Sequence, residues 1–403
     1  MLFSNTMKNR SRIHALRNAA FVAAAAALAV GFSGCNKKDA AASDEILIGH
    51  YGSLTGATAT FGQSAQKGIE MAVDAINVSG GVLGKKLKVI VEDDQGKPEE
   101  AQTVVTKLIN KDRVVALLGE IASSNSLAAA PVAQSSRIPM ISPGSTNPKV
   151  TSVGDYIFRV CFIDPFQGQV MAKFAANTLK VKKVAVLRDI KSDYSVGLAN
   201  FFVEGFKGLG GEILSDESYS QGDKDFTAQL TALKGKNPEA IFVPGYYTEV
   251  GLIARQARKL GITVPLLGGD GWDSSKLWEI GGAALNGCFY SNHYSVDDPS
   301  PILQKFVADY KARYGKTSDS IPDAMAALGY DATLVLADAM KRAQSSKPDS
   351  IRMALAQTKG FMGVTGNTTL DENRNAVKPA VVLEVIVDEK GNGRNKFKES
   401  VSP

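Results

Sequence analysis

The residues best suited to chemistry are small polar groups on loops that follow apolar runs. Ser123-Ser124 come after the run 114–118 and can open a helix over 124–135, where hydroxyls and free backbone N–H groups attract a carboxylate. Helix capping explains such serines about equally well. Ser142-Pro143-Gly144-Ser145-Thr146 follows the run 138–141 and brings more small donors. Asp270, flanked by Gly269 and Gly271, puts a carboxylate at a strand end where a ligand can come close. A turn-forming aspartate is the plainer alternative. Taken together, hydroxyls and N–H groups for a carboxylate and an acid for an ammonium suit a zwitterion.

Fingerprints of catalysis are missing from the sequence. It has no Walker-type phosphate loop, no Gly-x-Gly-x-x-Gly after the first strand, no His-Glu-x-x-His and no Gly-x-Ser-x-Gly elbow. The run 268–271 is glycine-rich but lacks the spacing of a dinucleotide site. His50 and His293 are bases on paper, yet neither has a partner pattern, which favours a packed or surface histidine. With only Cys161, Cys288 and these two histidines in the body of the chain, a zinc site is a poor fit. No enzyme activity, cofactor or metal is expected.

The elements that must position these groups alternate short β-branched runs with longer amphipathic stretches, which indicates an α/β fold with parallel sheets. Strands are expected at 46–50, 87–92, 114–118, 184–187, 213–215, 240–243, 266–267, 287–290 and 381–387. A weak repeat runs through them. Each half reads strand, helix, glycine pair (Gly80-Gly81, then Gly210-Gly211), strand, acidic loop, helix, strand, and then Gly119-Glu120 or Gly245-Tyr246. Two similar lobes follow from this, and 403 residues accommodate them. Two further long helices and a terminal strand come after the second unit.

The N-terminus has the pattern of an export signal. Lys8, Arg10, Arg12 and Arg17 precede an uncharged apolar run over 19–30 that is too short for a permanent span, and translation can begin at Met1 or Met7. Phe32-Ser33-Gly34-Cys35 resembles a bacterial lipobox, which makes Cys35 the expected lipidation site, 1–34 the signal peptide and 35–43 a flexible tether. Residues 1–34 carry four basic and no acidic residues, so without them the formal charge falls from +5 to +1. A near-neutral chain has no electrostatic case for nucleic acid. Cys161 and Cys288 can pair in an oxidising compartment, or stay as two small buried side chains.

From 46 to about 387 the chain resembles the branched-chain amino-acid-binding proteins of ABC transporters, the leucine/isoleucine/valine-binding type. The resemblance is carried by Gly52-Ser53-Leu54-Thr55-Gly56, Phe61-Gly62, Ala75-Ile76-Asn77, Gly80-Gly81-Val82-Leu83-Gly84 and Glu92-Asp93-Asp94. It continues through Ser123-Ser124, Ser142–Thr146, Tyr194 with Gly197, Gly245-Tyr246, Gly269-Asp270-Gly271 and Gly329-Tyr330-Asp331-Ala332. It implies a type I periplasmic binding fold: two Rossmann-like lobes joined by three crossover strands, near 159–163, 289–293 and 366–371, that close over ligand by a hinge. One lobe would comprise 44–162 with 292–368, the other 163–291 with 369–403.

Carried over by type, Ser123 and Thr146, with the backbone at Gly144 and Ser145, would hold the ligand carboxylate, with Ser124 beside them. Asp270 would hold the ammonium, one methylene shorter than the glutamate of close relatives. Tyr194 and Tyr246 would close on the ligand, and Phe61 would form an apolar wall where relatives often have tyrosine. The disulfide that some relatives have near the site is absent, since Gln95 and Ala122 stand about there. The implied partners are a free amino acid and ABC permease subunits, for a monomer held at the extracytoplasmic membrane face through Cys35. The alternative role is an extracellular sensor for an amino acid, amide or related small acid.

Overall fold

The computed structural model describes residues 44–315 and 321–403. The signal segment, Cys35 and the whole tether lie outside the described residues.

Two parallel sheets dominate. In the first, β1 (Glu45–Gly52) lies between β2 (Lys86–Asp93) and β3 (Leu117–Leu118), and β4 (Met140–Ser142) and β5 (Ile157–Arg159) extend it, giving the order β2-β1-β3-β4-β5. The second repeats this plan with β6 (Lys183–Asp189), β7 (Glu212–Tyr219), β8 (Ala240–Phe242), β9 (Leu266–Gly268) and β10 (Cys288–Asn292), in the order β7-β6-β8-β9-β10. The weak repeat in the sequence therefore corresponds to two doubly wound lobes of one topology. In each, the strand order reverses beside the first strand of the unit, opening a crevice at the carboxyl ends of the strands.

Two helices that follow β10, Pro301–Tyr314 and Ala324–Ala343, belong with the first sheet. The second packs on Ala59–Val78, the helix after β1. A Cβ on Gly68 would lie 1.9 Å from Ala326 O, and one on Gly329 would lie 2.6 Å from Ala65 O, so these helices touch backbone to backbone. Asp331 then fixes the following hairpin by accepting the N–H groups of Val364 and Thr365 at 2.7 and 2.9 Å.

The hairpin is part of a small antiparallel sheet formed by β11 (Phe361–Gly363), β12 (Gly366–Leu370) and β13 (Ala376–Val377). Arg374, just before β13, donates to the carbonyls of Ile157 at 3.2 Å and Thr151 at 2.9 Å, so it sits against the first lobe. The chain joins the second sheet only at β14 (Ala380–Val387), later than the expected passage over 366–371.

Strand β15 (Gly393–Val401), antiparallel to β14, was not expected from the sequence. Its residues, Gly-Arg-Asn-Lys-Phe-Lys-Glu-Ser-Val, form a largely exposed edge without the apolar run that marks a buried strand. No helix among the described residues is long and apolar enough to cross a membrane.

Candidate functional site

The donor side of the site is built on the first sheet. After β3, the chain turns through 119–122 into the helix Ser123–Ser135, whose N-cap is Ala122, and no side chain caps it. The hydroxyls of Ser123 and Ser124 are thus free of the capping role that the sequence allowed. Ser123 is buried, and its oxygen accepts the Asn147 N–H at 3.3 Å. The Thr146 hydroxyl is buried with no hydrogen bond of good geometry.

Ser145 turns its hydroxyl away from the crevice, towards the carbonyls of Glu120 and Ile121, both at 3.0 Å, and its N–H donates to Ser142 Oγ at 2.8 Å, so the backbone donor that the resemblance gave to the ligand carboxylate is already taken. Behind the loop the fully buried Arg159 donates to Ser145 O at 2.5 Å and Asn147 O at 2.8 Å, holding these carbonyls back. Gly144 has little room for a side chain: a Cβ there would lie 3.1 Å from both Ile121 and Met325.

The acidic side comes from the second sheet and the first crossover. Asp270 opens a short turn after β9 and is 2% exposed. Its Oδ1 accepts from Gln167 Nε2 at 2.9 Å, and its Oδ2 lies 2.9 Å from His293 Nε2. His293 stacks on Phe162 with centroids 3.8 Å apart. This histidine, for which the sequence offered no partner, therefore has a carboxylate partner that the tertiary fold supplies. His50 is packed, with Nδ1 3.0 Å from Leu118 O. Gly269 is required beside Asp270, since a Cβ there would lie 2.1 Å from Gln167 Oε1 and 2.5 Å from the Tyr194 hydroxyl.

A second acid was missed in the sequence. Asp164 begins the helix after the first crossover, its N–H donates to Thr146 O at 2.9 Å, and its side chain is fully buried. Neither carboxylate oxygen has a hydrogen bond of good geometry, although the Thr146 hydroxyl is near enough to favour the ionised form. Burial pushes this carboxyl well above the usual carboxylate range. The Asp270 charge adds to that rise, against the opposing pull of Thr146 and then Arg159. The only sequence signal was an acid before Pro165 at a crossover.

Aromatic rings and polar latches join the lobes over these groups. Phe61 meets Tyr246 edge-to-face at 5.5 Å and Tyr247 at 5.1 Å, and Tyr246 stacks on Tyr194 at 5.3 Å. The Tyr194 hydroxyl accepts from Gly271 N at 3.1 Å. Tyr247, which the sequence reading left out, accepts the Thr60 N–H at 3.2 Å across the lobes. Ser124 sits at the rim, where its hydroxyl is taken by Asp193 of the second lobe at 2.9 Å. Asn147 Nδ2 donates to Asp193 O at 2.7 Å, and Thr248 Oγ1 to Ala57 O at 2.8 Å, so the lobes are closed on one another.

This arrangement can hold a carboxylate against Ser123 and Thr146 and an ammonium against Asp164 and Asp270, within an aromatic wall. Cys161 and Cys288 are free, buried thiols, and burial pushes the Cys161 thiol up to about 12, where it is a poor nucleophile. No group of acids, histidines and cysteines among the described residues is placed to hold a metal.

Comparison with known proteins follows the same lines. The sequence model of the periplasmic binding protein family matches residues 45–392. A Leu/Ile/Val-binding protein homolog of Brucella melitensis is 31% identical over 343 residues, covering 84% of this chain and 91% of its own. The crystal structure of a leucine-binding protein from Thermotoga maritima is 42% identical with a TM-score of 0.83, over 89% of this chain and 99% of that one. A branched-chain amino acid transporter substrate-binding protein of Streptococcus pneumoniae, solved in complex with isoleucine, is 36% identical with a TM-score of 0.81, over 89% of this chain and 100% of that one.

Proposed function

The chain belongs to the periplasmic binding protein family, and from that premise we propose that it captures an amino acid outside the cytoplasm and delivers it to an ABC permease. The ligand is a branched-chain or similar aliphatic amino acid, held by closure of the lobes, and no catalysis is assigned to the chain. The observation that carries this reading is the opposition of buried hydroxyls on one side (Ser123, Thr146) to buried acids on the other (Asp164, Asp270). Such a pair of poles fits a zwitterion and strands an uncharged solute between unsatisfied groups. The relatives named for leucine, isoleucine and valine support the aliphatic preference.

The protein acts as a monomer, with 44–162 and 292–379 in one lobe and 163–291 and 380–403 in the other, since 374–375 pack on the first lobe and the second sheet is rejoined at β14. It is tethered at the extracytoplasmic face through lipid on Cys35. A Cys35→Ser variant should appear in the soluble fraction, and unchanged membrane fractionation refutes the anchor.

Isothermal titration of the protein against the twenty amino acids tests the ligand. Leucine, isoleucine or valine should bind far more tightly than millimolar, which corresponds to only about −4 kcal/mol. If no amino acid binds better than that, the reading is wrong.

A further inference from the structure

Beneath the donor loop lies a buried carboxyl that the ligand reading does not use. Glu120, between β3 and the helix Ser123–Ser135, is fully buried. Its Oε1 accepts from Ser53 N at 3.1 Å and lies 2.8 Å from Ser53 Oγ, while its Oε2 accepts the Ala122 N–H. Its backbone is a hub as well: the carbonyl accepts from Ser142 Oγ at 2.6 Å and Ser145 Oγ at 3.0 Å, and its N–H donates to Ser126 Oγ at 3.1 Å. One residue thus ties the end of β1 to both loops that carry Ser123 and Thr146.

A second buried acid shares this nest. Asp94 Oδ1 accepts the Gly96 N–H at 2.9 Å, but Oδ2 has no hydrogen bond of good geometry. The Ser53 hydroxyl lies beside both carboxyls. With Glu120 ionised, Ser53 must give its only hydroxyl proton to Glu120. With Glu120 protonated, the same 2.8 Å contact can run the other way and free the Ser53 proton for Asp94 Oδ2.

The surroundings supply no counter-charge. Asp93 faces Asp94, and Tyr51 and Tyr246 face Glu120, all acids in kind. The helix Ser123–Ser135 and the loop 140–146 carry no charged residue, and Lys97 points to Gln95 Oε1 at 3.2 Å. Among the described residues neither carboxyl has a lysine, arginine or histidine within ion-pair distance.

We propose that Glu120 is the positioning residue of the carboxylate end of the site, and that it works as a neutral acid whose proton is shared through Ser53 with Asp94. The affinity for an amino-acid carboxylate is then governed by a proton that the ligand never touches. This rests on the amino-acid reading above. Burial, and then the Asp94 charge, push Glu120 up to about 8, while burial pushes Asp94 up to about 6, so near neutrality the pair keeps one proton. A ligand carboxylate beside Ser123 raises the cost of ionising Glu120 further, so binding above pH 8 must take up a proton.

The test is titration of leucine between pH 6.5 and 9 into wild type, Glu120→Gln and Asp94→Asn, with ligand-free melting followed over the same range. Wild-type affinity should be flat to about pH 8 and fall up to about tenfold by pH 9, where one pH unit equals one tenfold step. Glu120→Gln should remove that fall. Asp94→Asn, which removes the neighbouring charge, should move it to lower pH.

Melting gives a readout independent of ligand. An acid raised in the folded state loses stability as pH climbs towards its folded value, so wild type should lose melting temperature relative to Glu120→Gln between pH 6.5 and 9. Identical pH profiles for wild type and Glu120→Gln, in binding and in melting, overturn the proposal. A wild type that binds no amino acid at any pH refutes the amino-acid reading instead, and melting still decides whether Glu120 holds the proton.

Discussion

Ser124 and Asp193 bond each other twice across the lobes. The Ser124 hydroxyl donates to Asp193 Oδ2 at 2.9 Å and accepts the Asp193 N–H at 3.0 Å. This contact exists only while the crevice is closed, so it belongs to the bound state and not to the encounter.

Ser124→Ala should therefore raise the ligand Kd about fivefold, the value of one net hydrogen bond of about 1 kcal/mol, mainly through a faster off-rate. Stopped-flow fluorescence with leucine separates the two rates. A change confined to the on-rate would place Ser124 in the encounter.

Asp164→Asn keeps the shape of the side chain but removes the carboxyl that a bound ammonium would hold ionised against its burial. Leucine affinity should drop about a hundredfold, in line with the roughly 2–3 kcal/mol that hydrogen bonds to charged groups contribute. 4-Methylpentanoate, which lacks the ammonium, should change little. If leucine titrates unchanged into the variant, Asp270 alone carries the ammonium.

At the hinge, Asp273 accepts the Ala324 N–H at 2.7 Å while Asp323 caps the same helix through Ala326 N at 2.9 Å. Burial first, and then the Asp273 charge, push Asp323 up to about 7 from its ordinary value near 4. An acid raised by folding weakens the fold as pH rises through that window, so stability should decline between about pH 4 and 7. Asp323→Asn, which still caps the helix, should flatten that decline in a series of thermal melts. Parallel curves for the two proteins would show that Asp323 ionises normally.

Gly68→Ala should cost about 2–3 kcal/mol, because the new Cβ would meet the Ala326 carbonyl of the opposing helix at 1.9 Å. Gly80→Ala makes a useful contrast: a Cβ there meets nothing within 4 Å, so its cost is that of a positive φ of 95° alone. Urea denaturation of the two variants compares them directly.

Much of the fold was legible because each β-α unit encodes itself locally: β1 and β6 are apolar runs, and the helices after them show their periodicity. What escaped was β15, whose exposed edge leaves no hydrophobic trace, and the late return to the second sheet after Arg374 braces Thr151 and Ile157. In the site, Asp270 and Thr146 stood out by type and by their loop setting. Asp164, His293 and Glu120 did not, since nothing in their neighbouring residues distinguishes a buried functional group from a surface one.

The sequence by itself determined two repeated α/β units, the small polar loops at their strand ends and a near-neutral body after the basic leader. These are properties of composition and short-range pattern, which act within a few residues. Only the tertiary structure decided that Asp164 and Asp270 share one buried corner with Thr146, that Ser124 latches to Asp193, and that Glu120 lies against Asp94. Each of these joins residues distant in the chain, and burial in a shared low-dielectric space, absent from any one segment, makes their charges and protons interdependent.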